Sequence, residues 1–558
     1  MVTLKLLHSA PHAVACCLLL TVCRADTAAA AAVHVWQRWE TPLTSSRSYA
    51  NPYRDVDLQV TFTGPTGQTL HARGFWDGGP VFKIRGAFPQ AGTWRWRTIC
   101  SDAGNDGLHD QTGSFEVGPY TGDNRLYRHG FLKISANRRH LAHADDAPFL
   151  WIGDTAWLAY VRATGAEWDR YAEQRAGRGF SALMTSVSVA GGRPADARDT
   201  EGNAPFSDGS ARQWNPVFWR NFEAKVQSTN HRGLVMVLTG VGFGRMGNAA
   251  PRDVLAFARG LAARLAGNAV VYSPRQDWGA GHEEMLEEIG QEIHRAAPFA
   301  LVTQHPRRLV GGGAVAPMPD QVIRHYYHLK SVDFAGVQTG PGAVPDHAPI
   351  ALEEASRATL QWTTALYHEE PHKPVVNLEG IYDDDFAHNA SGIATEMARR
   401  GAYLSFLSGA CGFTSSSYGL WMWGKGPPYG MFGPPPSVTS AMDRPYATHL
   451  QHLAKLLSSI DWWRLEPRPD LIQNQPSDWA GRMVLAKSPC SECAVAYLPN
   501  NSEIVVDLKP FPRALIGHWF NPRTGELTKI NRAVASQTSE TFTRPGPGDW
   551  VLLLRQRR

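Results

Sequence analysis

Two carboxylates in this sequence stand where apolar runs end, a placement that suits acid–base chemistry. Lys373-Pro374-Val375-Val376-Asn377-Leu378-Glu379-Gly380 opens on a proline, continues as a short β-branched run and finishes in one acid followed by glycine. A buried parallel strand that delivers a charged group from its C-terminal end has this pattern. Ala269-Val270-Val271-Tyr272-Ser273 is a second such run, and Pro274-Arg275-Gln276-Asp277-Trp278-Gly279 follows it, which makes Asp277 the first acid beyond its end. Cleavage of a glycosidic bond needs a pair of this kind: one acid protonated to donate to the leaving oxygen, the other ionised to stabilise or attack the anomeric carbon. Apolar surroundings such as Trp278 would raise the donor's pKa, and Asn or Arg donors would hold the partner ionised. The competing readings are a loop-capping aspartate at Asp277 and an exposed loop at Glu379. Glu283 and Glu284 are rivals for the acid role, but they read as the first turn of a helix, where carboxylates suit the dipole.

For the pair to meet, the strands must form one closed sheet. From Phe149-Leu150-Trp151-Ile152-Gly153-Asp154-Thr155 onward, buried apolar runs alternate with helical patterns, the signature of βα units. Strands are predicted at residues 149–153, 182–187, 234–239, 269–273, 300–304, 334–338, 375–378 and 412–416. Helices are predicted at 166–178, 216–232, 252–266, 283–296, 349–367 and 394–407. Eight strands with intervening helices fit a (β/α)8 TIM barrel, whose catalytic groups sit at the C-terminal ends of its strands. Glu379 then ends strand seven, opposite an acid that follows strand four. A doubly wound open sheet is the competitor. It would want a glycine-rich phosphate turn after the first strand, and Gly153-Asp154-Thr155 is not one. Asp154, at the end of strand one, is a candidate ligand for a sugar hydroxyl, or else a helix cap.

The flanks read as β structure. Residues 33–118 carry period-two runs at 57–63, 71–76, 81–88, 93–99 and 113–117 with Gly-rich turns between them, as in an immunoglobulin-like β-sandwich. Beyond a proline-punctuated linker at 466–470, further strands at 483–487, 494–498, 504–508, 516–520 and 550–554 form a small C-terminal β-sandwich. The expected organisation is a signal peptide over 1–32, the N-terminal sandwich over 33–118, the barrel over 119–465 and the C-terminal sandwich over 466–558.

At 558 residues the chain exceeds one core, and a net charge of +4 over that length leaves no basic stripe for nucleic acid. The 19 Trp suit a sugar-binding protein, since an indole face stacks on a sugar ring, although most of them must fill cores. Lys5, an apolar run over 13–22 and small residues over 25–32 read as an export signal, so a secreted or periplasmic location is expected. Cys23 offers a lipid anchor as a second option. No later stretch is apolar enough to cross a membrane. Cys490-Ser491-Glu492-Cys493 reads as a local disulfide in an exported hairpin, and Cys100 and Cys411 as buried thiols. The histidines lack the spaced pairs of a zinc site, and no cofactor loop is present, so neither metal nor cofactor is expected.

A resemblance sharpens this reading. Pro148-Phe149-Leu150-Trp151-Ile152-Gly153-Asp154-Thr155-Ala156-Trp157, Leu301-Val302-Thr303-Gln304-His305-Pro306, Lys373-Pro374-Val375-Val376-Asn377-Leu378-Glu379 and Tyr418-Gly419-Leu420-Trp421-Met422-Trp423 resemble the apiosidase-like glycoside hydrolases. Gly74-Phe75-Trp76-Asp77-Gly78 and Ala91-Gly92-Thr93-Trp94 resemble the sandwich module that precedes many bacterial polysaccharide-degrading barrels. Trp519-Phe520-Asn521-Pro522-Arg523-Thr524-Gly525 resembles the collagen-binding-type module behind them. The resemblance implies Asp277 as general acid and Glu379 as the second catalytic carboxylate. Asp154, Trp157, His305, Tyr326 and Gln338 would line the mouth, as would His328, and Trp421 and Trp423 would form a stacking wall. The implied partner is an oligo- or polysaccharide, with a pentose or deoxysugar side chain released exo-wise. Two departures fall at the pocket: Arg275-Gln276-Asp277 replaces the family's Gly-Gly-Asp, and Gln338-Thr339-Gly340-Pro341 lacks its His. They motivate an alternative, a carbohydrate- or matrix-binding protein on a barrel that has lost catalysis.

Overall fold

The computed structural model describes residues 33–187, 198–207, 212–243, 250–277, 281–307, 320–340, 348–383, 393–425, 434–532, 534 and 538–556. The expected signal segment with Cys16, Cys17 and Cys23, and also Trp278 and Pro341, lie outside the described residues.

Eight parallel strands form one sheet: β1 (Trp151–Thr155), β2 (Ala182–Ser186), β3 (Val235–Phe243), β4 (Val270–Arg275), β5 (Leu301–Val302), β6 (Ala335–Gln338), β7 (Val375–Glu379) and β8 (Gly412–Ser415). The sheet order runs β5-β4-β3-β2-β1-β8-β7-β6. A parallel bridge between Thr303 and Phe334 joins the two ends and closes the barrel. Each strand is followed by a helix: α1 (Gly165–Gly177), α2 (Pro216–His231), α3 (Pro251–Leu265), α4 (Glu283–Ala296), α5 (Asp320–Tyr327), α6 (Ala348–Tyr367), α7 (Ile393–Leu407) and α8 (Pro445–Ser458). The starts are chemically encoded. Thr164 and Glu167 form a reciprocal capping box at α1, and Pro216, Pro251 and Pro445 occupy first turns, where a missing N–H costs nothing.

Side chains on β1 define the inside of the barrel. Trp151 meets Phe334 with ring centroids 5.9 Å apart, and its Nε1 donates to Thr414 Oγ1 at 2.9 Å. Since β1 and β6 are not neighbours in the sheet, the Trp151–Phe334 contact crosses the lumen. By alternation Gly153 and Thr155 share that face, while Ile152 and Asp154 turn to the helices.

Ahead of the barrel, a five-stranded sheet and a three-stranded sheet enclose a core of Leu58, Val60, Phe62, Phe82, Ile84, Phe88 and Trp94. The single strand expected over 71–76 is instead two, Thr69–Arg73 in one sheet and Phe75–Gly78 in the other. The chain changes sheets at Gly74, where a Cβ would lie 2.5 Å from the Leu58 side chain. Behind the barrel, a six-stranded sheet from Glu466–Pro467 to Trp550–Gln556 packs with the paired strands Glu503–Asp507 and Ser539–Thr543 over Leu485, Leu498, Ile504, Val506 and Phe542.

Buried ions fasten both β modules to the barrel. Arg85 of the first sandwich donates to Glu223 of α2 at 2.9 Å, and Arg264 of α3 donates to Asp77 of the sandwich at 2.7 Å and to Glu223 at 3.2 Å. The guanidinium groups of Arg85 and Arg264 both lie over the Phe75 ring, at 4.8 and 4.5 Å. At the other end, Arg399 of α7 grips Asp549 with two bonds of 2.7 and 2.9 Å, and Tyr497 donates to the same carboxylate at 2.9 Å.

Candidate active site

The C-terminal ends of β4, β5 and β7 bring three groups together. Glu379 is the last residue of β7, and its side chain keeps 14% of its surface in solvent. Asp277 lies two residues past β4 with a side chain 52% exposed, held at φ 52°, a left-handed backbone that aspartate tolerates better than most residues. One ligating oxygen of each acid and one ring nitrogen of His305 all lie within 4.8 Å of one another.

His305 follows β5 and is fully buried. Its Nε2 is 3.3 Å from Glu379 Oε2 and its Nδ1 is 4.0 Å from Asp277 Oδ1, so the ring faces both acids. Burial alone would depress the imidazole pKa. Contact with Glu379 and the negative charges of Glu379 and Asp277 outweigh it, and the ring holds its proton to higher pH than an ordinary histidine. Trp157, 4% exposed and just beyond β1, packs edge-on against this ring with centroids 5.4 Å apart. Gln338 ends β6 in register with Glu379. The Trp421 side chain is 7% exposed on the turn after β8, packed against Tyr418 at 5.3 Å, and its carbonyl accepts from the Leu158 N–H of the β1 loop.

Other expected mouth residues lie elsewhere. Asp154 is fully buried in the layer between sheet and helices. It accepts from Arg175 Nε and from the hydroxyls of Tyr171 at 2.9 Å, both on α1, and of Tyr446 on α8 at 2.7 Å. It pins helices to β1 and meets no sugar. Trp423 is also fully buried, stacked on Trp168 at 6.2 Å and edge-on to Tyr171 at 5.4 Å, so it belongs to the core and forms no stacking wall. Tyr326 sits on α5, the helix that leads into β6, buried among Leu286, Ile323, Val337 and Leu366. His328 follows α5 and contacts Glu369 at 3.0 Å, with its side chain 44% exposed. Glu283 opens α4 as expected, its carboxylate accepting the Gly281 N–H at 2.9 Å. Cys490 and Cys493 are both free thiols, so the expected disulfide is not formed, and Cys100 and Cys411 are buried thiols.

Two features escaped the sequence. The mixed cluster of Asp277, His305 and Glu379 has a donor set that suits a metal ion, but its members come from three distant strand ends and leave no spaced motif. Asp383, buried beyond β7, accepts from Thr395 at 2.6 Å, Arg444 at 2.7 Å and the Tyr446 N–H at 3.1 Å, tying the β7 loop to α8.

A closed (β/α)8 barrel with a carboxylate pair at its mouth is the arrangement that barrel-type glycoside hydrolases use. The chain belongs to the apiosidase-like family: the model described as "Apiosidase-like, catalytic domain" matches residues 135–464. A domain of unknown function matches residues 32–101, and a "Putative collagen-binding domain of a collagenase" matches 467–555. Among solved structures, a chain titled "Glycoside hydrolase" superposes with a TM-score of 0.67 at 19% identity, covering 78% of this chain and 99% of its own. A glycoside hydrolase family 5 protein from Bacteroides vulgatus ATCC 8482 gives 0.65 at 17% identity, over 77% of this chain and 93% of its own. A "putative glycoside hydrolase" from the same organism gives 0.66 at 15% identity over 94% of this chain and 99% of its own, so the likeness in fold extends to the flanking modules. No curated protein matches the sequence.

Proposed function

We propose that this glycoside hydrolase is exported and removes terminal pentose or deoxysugar residues from the side chains of plant or microbial polysaccharides with retention of configuration. Asp277 is the general acid and Glu379 the nucleophile. The observation that carries the reading is the separation of the two acids: ligating oxygens no more than 4.8 Å apart. Retaining enzymes hold their carboxyl groups about 5–5.5 Å apart, and inverting enzymes need ~6.5–9.5 Å to admit a water. The roles divide by surroundings. Glu379 is the more enclosed acid and stands 3.3 Å from His305, which suits it to the nucleophile's place. Asp277 reaches into solvent, where it meets an incoming leaving group and later takes a proton from the hydrolytic water. Trp157 and His305 form an enclosed wall that suits a small terminal sugar. Export rests on the sequence of residues 1–32.

The test is a panel of aryl glycosides and pectic oligosaccharides given to wild type, Asp277→Asn and Glu379→Gln, with the first-formed anomer read by NMR. Wild type is expected to release a single monosaccharide of retained configuration. Glu379→Gln should lose at least about 10³-fold in kcat/KM, and Asp277→Asn about 10²–10⁴-fold, least on substrates with good leaving groups. An inverted product, or an active Glu379→Gln enzyme, refutes the assignment.

A further inference from the structure

The same mouth holds a second kind of chemistry. Asp277, His305 and Glu379 each offer one ligand atom, all within 4.8 Å of one another. His305 is fully buried, and neither ring nitrogen makes a well-formed hydrogen bond, although Nε2 comes within 3.3 Å of Glu379 Oε2. A buried imidazole without a hydrogen bond is expensive, and such a group in a polar cluster points to a ligand that completes it. Two ligands on a tetrahedral ion with bonds of about 2.0–2.1 Å stand roughly 3.3 Å apart, which matches the spacing of the His305 nitrogen and the Glu379 oxygen. Asp277, half exposed, gives an ion its way in from solvent.

We propose that these three side chains bind a divalent transition-metal ion of the Zn2+ type at the place the glycoside would take. Two carboxylates balance the charge of the ion and a neutral imidazole completes three protein ligands, leaving one position for water. Mg2+ and Ca2+ fit poorly, because they ask for six or more oxygen ligands and gain little from an imidazole. The ion would cover both acids at once, so it acts as a competitive inhibitor. Binding does not depend on the proposed catalytic roles; only the inhibition rests on that reading.

The experiment uses the full chain with Cys490→Ser and Cys493→Ser, because these thiols are accessible enough to take an ion of their own. Co2+ is titrated while its visible absorption is followed, and Zn2+ is then added in competition with a chromophoric chelator. The expected result is one equivalent of Co2+ with four-coordinate bands, displaced by Zn2+ and not by a hundredfold excess of Mg2+ or Ca2+. His305→Ala should weaken binding at least tenfold. Glu379→Gln does the same, and circular dichroism checks that both variants fold. On a substrate the enzyme turns over, Zn2+ should raise KM with kcat unchanged. No spectral change on Co2+ addition, or equal binding by His305→Ala, overturns the proposal whatever the enzyme hydrolyses. A protein that binds the ion but turns over no glycoside keeps this proposal and loses the previous one.

Discussion

Replacing Asp154 with Asn tests which face of β1 it occupies. The carboxylate is fully buried and accepts from Arg175 Nε and from the Tyr171 and Tyr446 hydroxyls. Arg175 is equally buried, and its other acceptors include the Met442 carbonyl at 3.0 Å and the Tyr446 hydroxyl at 3.0 Å, neither of them charged. Neutralising Asp154 therefore leaves a guanidinium charge enclosed without a counter-ion, a change that costs about 3–5 kcal/mol. Against a total stability of roughly 5–15 kcal/mol, that is a large fraction. The assay is guanidinium unfolding followed by tryptophan fluorescence, run alongside steady-state kinetics on the folded protein. Asp154→Asn should lower the unfolding free energy by that amount, read as an earlier midpoint at an unchanged slope, and leave kcat and KM within twofold. The double variant Asp154→Leu with Arg175→Met removes both charges and should recover more than half of the loss, because a buried ion pair exchanged for apolar side chains is close to neutral. Wild-type stability combined with a raised KM would refute the argument and return Asp154 to the sugar.

Trp423→Ala should cost about 3–5 kcal/mol through the cavity it leaves against Trp168 and Tyr171, with KM unchanged in the protein that folds; a raised KM at unchanged melting temperature would place this ring in the pocket. Asp549→Ala strands Arg399 and should release the C-terminal module to limited proteolysis near residues 466–470, read by mass spectrometry against wild type. His449 is pushed down to about 3 by burial and by Arg399, which donates to its Nδ1 at 3.1 Å. Its folded pKa lies below the unfolded value of 6.5, so the unfolded chain binds the proton more tightly, and stability is lost as pH falls from about 6.5 towards 3. The difference is worth roughly 4–5 kcal/mol at full extent. His449→Gln keeps an acceptor for Arg399 and should flatten that limb of the unfolding–pH curve; an unchanged curve would assign acid lability elsewhere.

The barrel was legible because each of its strands is an apolar run bounded by breaks, and a run buried on both faces stays apolar whatever it touches. The same fact hid the direction of its polar residues. Asp154 lies between Gly153 and Thr155, and a single step along a strand exchanges lumen for helix layer. Glu379 was readable because it is the last residue of its strand, where a carboxylate has few places to go but the mouth. Trp423 and Tyr326 failed for another reason: large aromatics serve cores and pockets alike, and only their neighbours, Trp168 in one case and Leu286 in the other, tell the two apart. The α5 and α8 helices were not among those expected, and α8 proves to carry Tyr446 and His449, two of the groups that fix the outer layer.

The charged seams between modules bear on how such a gene can recombine. Arg264 and Glu223 of the barrel look to Arg85 and Asp77 of the first sandwich, and Arg399 looks to Asp549 of the last. A barrel grafted behind a foreign sandwich would keep half of each set, and an unmatched ion under a new neighbour is worse than no contact at all. Shuffling at the linkers therefore succeeds only when matching acids and bases travel together. The three parts are expected to descend as a block.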